Sequence, residues 1–286
     1  MKRVLITGAN SYVGTSVEKW LMKESKNYHV ETLDMQNPSW VNFDFTKFDV
    51  VFHVAGIAHV SKKKSMEDLY YKVNRDLAIQ TARKAKESGV RQFIFMSSMI
   101  IYGNDKPSGY RQHIDLSNYN PTSAYGKSKL EADLSIQELM NEKFIVLVIR
   151  APIIYGPGCK GNFPKLQNFA KKTILIPTLK NRKSMIYIDN LSEFIKQAIN
   201  RSLYGVCYPQ NSEYMSTSKI MILTREYLSM KIVKTRVFNP LIIFLTYISK
   251  YIKKMYGNKS YNQNNSFYSD FDYNIVTSSD SIKKSI

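Results

Sequence analysis

Short hydrophobic runs alternate with segments whose hydrophobic residues recur every three or four positions through the first two-thirds of the chain. Short runs bounded by turn residues are typical of buried strands, and the longer spacing is typical of helices that bury one face. The pattern predicts strands at Arg3–Thr7, Tyr28–Leu33, Val50–Val54, Gln92–Ser97 and Phe144–Ile149. It predicts helices at Val13–Glu24, Met66–Ser88, Ser123–Asn141 and Asn190–Arg201. Because strands and helices alternate, the predicted fold class is α/β with a parallel sheet.

Two segments depart from this alternation. Only about fifteen residues, Asp34–Asp49, separate the second predicted strand from the third, so the helix expected there must be truncated. Near the other end, Pro240–Leu245 is almost wholly hydrophobic, and three lysines follow it, the last at Lys254. Residues 241–256 therefore predict a helix that packs on the rest of the chain, with peripheral contact to a membrane surface as the alternative.

The first predicted strand runs into a glycine-containing turn that a helix follows. Strand, turn and helix N-terminus together form a cradle for a dinucleotide pyrophosphate, because backbone N–H groups and the positive end of the helix face the anion. The residues predicted to contact the cofactor here are Gly8, Asn10, Ser11, Tyr12, Val13 and Gly14. Asp34 lies 20 residues beyond Gly14, where a carboxylate accepts bonds from the adenosine ribose and repels a 2′-phosphate. NAD is the predicted cofactor, with NADP as the alternative; for Asp34 the alternative is a turn cap.

A tyrosine and a lysine lie four residues apart on one predicted helix, so Tyr125 and Lys129 share a face. A free phenol loses its proton at about pH 10, and a neighbouring cation favours the phenolate. Tyr125 could therefore exchange a proton with a substrate hydroxyl near neutral pH. Ser98, which follows the hydrophobic run of the fourth strand, would orient the reacting oxygen. Ser98, Tyr125 and Lys129 are the predicted catalytic residues, and the last two are also predicted to contact the cofactor.

These motifs together resemble the extended short-chain dehydrogenases/reductases of the nucleotide-sugar epimerase/dehydratase family. The matching segments are Thr7-Gly8 to Gly14, Asp34, Asp44-Phe45, His53–Gly56, Asn74, Ser98, Tyr102-Gly103, Tyr125 with Lys129, Arg150–Pro152 and Tyr155–Gly158. The resemblance implies a Rossmann-type doubly wound parallel sheet with a smaller C-terminal substrate lobe. One departure is Ser11, which stands where the family has its middle glycine and is tolerated if its φ is negative.

The same resemblance implies further cofactor contacts. Asp44 and Phe45 would contact adenine, and Asn74 would hydrogen-bond the strand that carries the active site. Pro152 would lie beside the nicotinamide. The segment after the third strand would border the phosphates; its residues are Val54, Ala55 and Gly56.

A substrate lobe is also implied, with residues 1–151 and about 185–203 holding the cofactor and residues 152–184 and 204–286 holding the substrate. Asn162 and Phe163 would lie near the substrate nucleotide, and Ser98 would contact the sugar. Alignment of the strand near residue 187 puts Lys183 at the position of a diphosphate-binding arginine, with Arg182 beside it. Which of the two contacts the diphosphate is open.

The reaction implied is hydride exchange between the nicotinamide and C4 of a UDP-hexose or UDP-amino sugar. Members that dehydrate carry an Asp-Glu pair directly after the active-site hydroxyl residue, and Met99-Ile100 stands there in this chain. A 4-epimerase and a 4-ketoreductase both remain open, in the synthesis of surface or capsular polysaccharide precursors. The alternative from another class is a non-catalytic NAD(P)-sensing or scaffold protein on the same fold.

Charge and cysteine content add constraints on partners and compartment. The net charge is +18, and residues 151–286 carry +13 of it, from 20 Lys/Arg and 7 Asp/Glu, which suits an anionic substrate as well as a solvated lysine-rich surface. No nucleic-acid motif accompanies the charge. Cys159 and Cys207 give no disulfide framework, no signal peptide or apolar run of 18 residues is found, and a cytoplasmic enzyme is expected.

Three further expectations concern oligomeric state and isolated residues. A homodimer is expected through the predicted helices Met66–Ser88 and Ser123–Asn141. His53, at the end of a buried strand, is interpreted as structural, and no metal is predicted because neither it nor His59 has metal-ligand spacing. Lys62–Lys64 is interpreted as a solvated loop, with a phosphate contact as the alternative.

Overall fold

The computed structural model describes residues 1–58, 66–110 and 112–286. Its strands are β1 (Lys2–Thr7), β2 (Tyr28–Leu33), β3 (Val50–His53), β4 (Gln92–Ser98), β5 (Ile145–Ala151), β6 (Ile153–Tyr155), β7 (Leu175–Pro177), β8 (Met185–Tyr187), β9 (Gly205–Cys207) and β10 (Val233–Thr235). Its α-helices are α1 (Tyr12–Met22), α2 (Glu67–Tyr70), α3 (Leu77–Glu87), α4 (Ala124–Gln137), α5 (Asn162–Lys172), α6 (Ile188–Asn200), α7 (Thr217–Tyr227), α8 (Asn239–Ile248), α9 (Lys250–Tyr256) and α10 (Ser278–Lys284). His59 and Lys62–Lys64 lie outside the described residues.

Six strands form one parallel sheet in the order β2-β1-β3-β4-β5-β9. The chain turns outward from β1 to β2 and then crosses back to β3 on the other side of β1. This reversal leaves a crevice beyond the carboxyl ends of β1 and β3, which is where ligands bind in open α/β sheets.

Helices cover both faces of this sheet. On one face α1 and α6 pack through Val17 and Leu21 against Leu191 and Phe194. On the other face α3 and α4 pack through small residues and Ile136 onto Phe93 and its neighbours. The α/β fold with a parallel sheet predicted from the pattern is therefore confirmed, together with the doubly wound arrangement that the resemblance implies.

Among the helical regions before residue 145, the truncated connection agrees with its prediction, and two predicted helices differ from theirs. Between β2 and β3 the connection contains only a 3₁₀ turn, Pro38–Asn42, as its length required. The predicted helix Met66–Ser88 is interrupted by a π-helical turn, Tyr71–Asp76. The predicted helix Ser123–Asn141 ends at Gln137, because Asn141 and Phe144 close a tight turn that starts β5.

The remaining elements form a smaller lobe with two parallel strand pairs, β6–β8 and β7–β10. Its core centres on Tyr155, whose hydroxyl lies 2.6 Å from Ser281 Oγ and 2.8 Å from Asn211 Nδ2. Contrary to the division predicted at residue 204, β9 belongs to the main sheet, because the outer edge of β5 pairs with it.

The hydrophobic segment near residue 245 differs from its prediction in two ways. Ser249 has an extended backbone and caps α9, so two short helices replace one. Only Thr246 of α8 is fully buried and Ile242 and Leu245 are half-buried, whereas Leu241 and Phe244 are exposed. Within the described part of the chain, no helix is long and apolar enough to cross a membrane.

Candidate active site

The turn between β1 and α1 is shaped for close approach of a ligand. Gly8 has φ 111°, and a Cβ there would lie 2.7 Å from the backbone N of Ala55. Ser11 has φ −74°, so the non-glycine residue fits as expected, and its Oγ accepts a bond of 3.1 Å from Gly14 N. A Cβ on Gly14 would lie 2.6 Å from that Oγ. Gly8 and Gly14 thus let the turn pack closely against the segment after β3 and against Ser11, which fixes the N-terminus of α1, the end of a helix that binds anions.

The end of β2 lies against this turn. Gly8 N and Ala9 N both donate to Leu33 O, which brings Asp34 beside the cradle. The exposed Asp34 carboxylate accepts a 2.9 Å bond from Gln36 N through Oδ1, so it does cap a turn. Its Oδ2 accepts no hydrogen bond from the described residues and is positioned for a ribose hydroxyl.

The predicted adenine contacts differ in accessibility. Asp44 is exposed, with Oδ1 accepting bonds from the backbone and hydroxyl of Thr46. The Phe45 ring is buried in the core on the α3 face of the sheet. Contact between residue 45 and adenine is therefore limited to its backbone.

Asn74 has a different partner from the one expected. Its Oδ1 accepts a 2.9 Å bond from Ile57 N, and its Nδ2 donates a 3.0 Å bond to Ile57 O. The expected bond to the strand that carries the active site is therefore wrong, because the reciprocal pair occupies both ends of the amide. Asn74 instead holds the segment after β3 in place, and a Cβ on Gly56 would lie 3.0 Å from Asn74 Oδ1 and 3.4 Å from Lys129 Nζ.

Ser98, Tyr125 and Lys129 meet at the carboxyl end of β4. Ser98 is the last residue of β4, and its Oγ accepts a 3.3 Å bond from Ile100 N and interacts with the Tyr125 phenol. Ser123 caps α4 through Gly126 N, which starts the helix just before Tyr125. Lys129, one turn further, is buried and donates a 2.9 Å bond to Met96 O.

The electrostatics of this group differ from the expectation of an acidified phenol. Burial raises the pKa of Tyr125 above its usual value, and the interaction with Ser98 lowers the pKa by less. Burial also lowers the pKa of Lys129 to about 8, against a smaller opposing effect of Asp133. In the protein alone, the desolvation cost of a phenolate thus exceeds what Lys129 supplies, because the ammonium is aimed at the Met96 carbonyl.

A buried ion pair lies directly behind the catalytic residues. Arg150 on β5 makes a bidentate pair with Asp133 on α4, with Nε–Oδ2 at 3.0 Å and Nη2–Oδ1 at 2.8 Å. Ser97 Oγ donates to Asp133 Oδ2 at 2.6 Å, and Arg150 Nη1 donates to the Tyr102 hydroxyl at 2.6 Å. The network ties β4, β5 and α4 together next to Ser98. Its sequence signal was an arginine inside a hydrophobic strand and an aspartate one turn after Lys129.

His53 is buried beneath the same site. Its Nδ1 lies 2.8 Å from Thr7 Oγ1, and its ring stacks on Phe93 and Phe95. Burial lowers the pKa of His53 to about 3, so the ring is neutral. Its Nε2 has no partner among the described residues. No group of three His, Cys, Asp or Glu side chains is placed to hold a metal in the part of the chain that the structure describes.

Of the two cations predicted to bind the substrate diphosphate, one is buried and the other is exposed. Lys183 is buried, and its Nζ lies 2.5 Å from Asp105 Oδ2 and 3.0 Å from Lys254 O. Arg182 is exposed, with its guanidinium 5.9 Å from the Tyr214 ring centroid. Arg182 is therefore the accessible cation of the two.

The two residues predicted to contact the substrate nucleotide also differ in exposure. Asn162 is exposed at the first turn of α5. Phe163 is buried, with its ring centroid 4.7 Å from that of Tyr155. The Phe163 ring thus belongs to the core of the lobe, and Asn162 faces solvent.

A glycine cradle at the sheet reversal, together with serine, tyrosine and lysine at the end of β4, defines a dinucleotide-dependent site of the short-chain dehydrogenase class. Residues 4–206 match the NAD dependent epimerase/dehydratase family, and the chain belongs to this family. The predicted family, fold class and NAD-type cofactor are thereby confirmed, with NADP still the alternative.

Known proteins similar to this chain include epimerases. The chain is 31% identical over 220 residues to UDP-glucose 4-epimerase of Vibrio cholerae, covering 70% of this chain and 67% of that protein. It is 26% identical over 275 residues to N-acetyl-α-D-glucosaminyl-diphospho-ditrans,octacis-undecaprenol 4-epimerase of Escherichia coli O157:H7, covering 90% and 81%. Its fold matches UDP-glucuronic acid 4-epimerase from Bacillus cereus in complex with NAD, with TM-score 0.71, 19% identity and coverage of 99% and 94%.

Proposed function

We propose that the protein transfers a hydride at C4 of a sugar diphosphate, as a 4-epimerase or a 4-ketoreductase. The observation that carries this proposal is the meeting of Ser98, Tyr125 and Lys129 beside the glycine turn. A Cβ on Gly56 would lie 3.4 Å from Lys129 Nζ, so the segment after β3 lies directly against the catalytic lysine. The proton-handling groups and the cofactor cradle therefore share one crevice.

The residues after Ser98 argue against dehydration. Met99 is buried, and Ile100 contributes its backbone N–H to Ser98 Oγ. Neither side chain can remove a proton from the sugar or protonate a leaving hydroxide. Asp133, one turn of α4 beyond Lys129, is fully engaged by Arg150, Ser97 and Gln137.

The mechanism assigns one role to each residue. The Ser98 hydroxyl orients the oxygen on C4, and the Tyr125 phenol takes the proton from that oxygen or returns it. Lys129 places a positive charge near the phenol and the ribose of the cofactor. A dinucleotide held in the cradle would accept the hydride from C4 in an epimerase, or donate it to C4 in a reductase. Because Tyr125 starts with a raised pKa, deprotonation requires more positive charge than the protein alone provides.

The diphosphate of the substrate is assigned to Arg182. Its guanidinium is exposed, whereas the Lys183 ammonium is already paired with Asp105. A guanidinium matches phosphate oxygens in a bidentate manner. A UDP-sugar and a lipid-linked sugar diphosphate share this group, so both belong in the test.

The test begins with the cofactor content of the purified protein. Bound NAD, with interconversion of UDP-N-acetylglucosamine and its C4 epimer without added cofactor, identifies an epimerase. An empty site that consumes NAD(P)H only with a 4-ketosugar nucleotide identifies a reductase. The same assay with undecaprenyl-diphospho-N-acetylglucosamine distinguishes the lipid-linked substrate. Absence of turnover with all three would favour a sensing or scaffold role.

A place in the synthesis of surface polysaccharide precursors is part of the same proposal, because C4-modified sugar diphosphates are donors or acceptors for glycosyl transfer. The expected homodimer through the helices of residues 66–88 and 123–141 stays a prediction.

A further inference from the structure

Helix α8 exposes most of its hydrophobic side chains, although Ile242 and Leu245 are half-buried. Leu241, Phe244, Tyr247 and Ile248, together with Tyr251 of α9, are each between 55% and 82% exposed. We call these five residues the α8–α9 face. Leu241, Phe244 and Ile248 recur at spacings of three and four, so they share one side of α8.

The side of α8 that contacts the protein combines the half-buried Ile242 and Leu245 with polar side chains. Asn239 Nδ2 donates a 3.1 Å bond to Thr178 O, and the fully buried Thr246 accepts a 3.1 Å bond from Ser108 N. An ordinary surface helix buries its hydrophobic side and exposes its polar one. Helix α8 instead also exposes hydrophobic side chains on its outward side, and exposed hydrophobic surfaces of this kind mark contacts with proteins or membranes.

The chain around this face is uniformly basic. Residues 227–269 contain no Asp or Glu and seven Lys or Arg. Arg236 precedes α8, and Lys250, Lys253 and Lys254 follow it; none of these four forms an ion pair within the residues that the structure describes. Lys180 and Arg236 also line a groove of about 650 Å³ that α8 borders through Asn239 and Ile243.

We infer that the α8–α9 face docks on an anionic lipid bilayer. Hydrophobic side chains would enter the headgroup boundary while the lysines around them meet negative headgroups, which is the way interfacial helices bind. A second copy of the chain is a poorer occupant, because joining two such faces would bring unpaired cations of the same sign together. The inference does not depend on the reaction proposed above.

The test is sedimentation of the full chain with vesicles. We expect binding to phosphatidylcholine vesicles that contain phosphatidylglycerol, at least about tenfold weaker binding to phosphatidylcholine alone, and weakening by salt. The variant Leu241→Gln/Phe244→Gln/Ile248→Gln should lose at least about tenfold in partitioning. The matched control, Val41→Gln/Tyr204→Gln/Phe267→Gln, removes exposed hydrophobic side chains elsewhere and should bind as the wild type does.

A second pair of variants distinguishes the effect of lysines next to the α8–α9 face from the effect of the protein's net charge. Lys250→Gln/Lys253→Gln/Lys254→Gln should lose binding to anionic vesicles, whereas Lys143→Gln/Lys171→Gln/Lys172→Gln, with the same net charge, should keep it. All variants should retain turnover of soluble sugar nucleotides, which separates this test from that of the reaction. Absence of vesicle binding, equal loss in the controls, or a wild-type dimer that the α8–α9 variant dissociates would each overturn the inference.

Discussion

The cofactor crevice and the C-terminal lobe are built on opposite principles. In the crevice, Ser98 lies at the end of a buried parallel strand, and Tyr125 and Lys129 lie in the first turns of α4. In the lobe, the accessible groups are exposed cations and an outward-facing hydrophobic helix. The first region therefore holds atoms in fixed positions for chemistry, and the second presents charge and hydrophobic surface for recognition.

The two regions should differ most in which kinetic constant a substitution changes, kcat or KM. Tyr125→Phe removes the proton-handling hydroxyl and should lower kcat by about 10³-fold with little change in KM, because general acid–base catalysis contributes roughly that much. Arg182→Ala in the lobe should instead raise KM and leave kcat nearly unchanged. Steady-state kinetics with a UDP-sugar measure both values, with the exposed Tyr110→Phe as control. A Tyr125→Phe enzyme of wild-type kcat would remove Tyr125 from the mechanism.

Breaking an ion pair should likewise cost more stability in the crevice than in the lobe. Arg150→Met leaves Asp133 buried without its partner and should lower the free energy of unfolding by about 3–5 kcal/mol. Lys219→Met breaks the exposed pair with Glu213 and should cost less than about 1 kcal/mol. Urea denaturation followed by circular dichroism gives both values. Equal losses would mean that the network behind Ser98 does not stabilise the crevice.

A buried lysine in each region gives a prediction about pH. Burial lowers the pKa values of Lys129 and Lys259 to about 8, whereas an unfolded lysine titrates at 10.5. Between these pH values the unfolded chain binds more protons, so each lysine makes stability rise with pH. Replacing either by Met should remove about 2 kcal/mol of that rise from pH 8 to 10. Unfolding measured at both pH values, wild type against variant, checks this; an unchanged rise in the Lys129→Met protein would place its ammonium in water.

The smallest effect concerns the glycine turn. Gly8→Ala combines a positive φ with a clash against Ala55 and should weaken NAD binding by about tenfold. Gly89→Ala has the same kind of φ with nothing within 4 Å of the added methyl group. It should lower stability slightly and leave NAD binding unchanged. Calorimetric titration with NAD would reveal whether the close approach to Ala55, as opposed to strain alone, shapes the cradle.

The crevice was largely predictable because its determinants are local. Hydrophobic runs gave the strands, the turn residues gave the cradle, and the four-residue spacing placed Tyr125 and Lys129 on one helix. Long-range packing determined what could not be predicted. Asn74 reaches Ile57 through a π-helical turn that interrupts a regular periodic pattern. The pKa of Tyr125 depends on burial by elements distant in the chain, among them α2, whose Tyr70 ring centroid lies 5.9 Å from that of Tyr125.

In the lobe, predictions reached less far for two physical reasons. Lys183 pairs with Asp105, 78 residues away, and local sequence carries no signal of such a pair. The periodicity of residues 241–256 indicates that one side of the helix is hydrophobic, but not whether that side faces the core. In the structure Leu241, Phe244 and Ile248 are exposed, whereas the inward side holds Thr246 with its hydrogen bond to Ser108 N.

The most direct test of the central claim is the fate of the hydrogen on C4 of the sugar. A UDP-sugar carrying deuterium at C4 is incubated with the holoenzyme in ordinary water, and the products are analysed by NMR and mass spectrometry. Hydride transfer at C4 predicts that the deuterium is recovered on C4 of the epimer or on the nicotinamide. Loss of the label to solvent during turnover, or turnover that leaves C4 untouched, would contradict it.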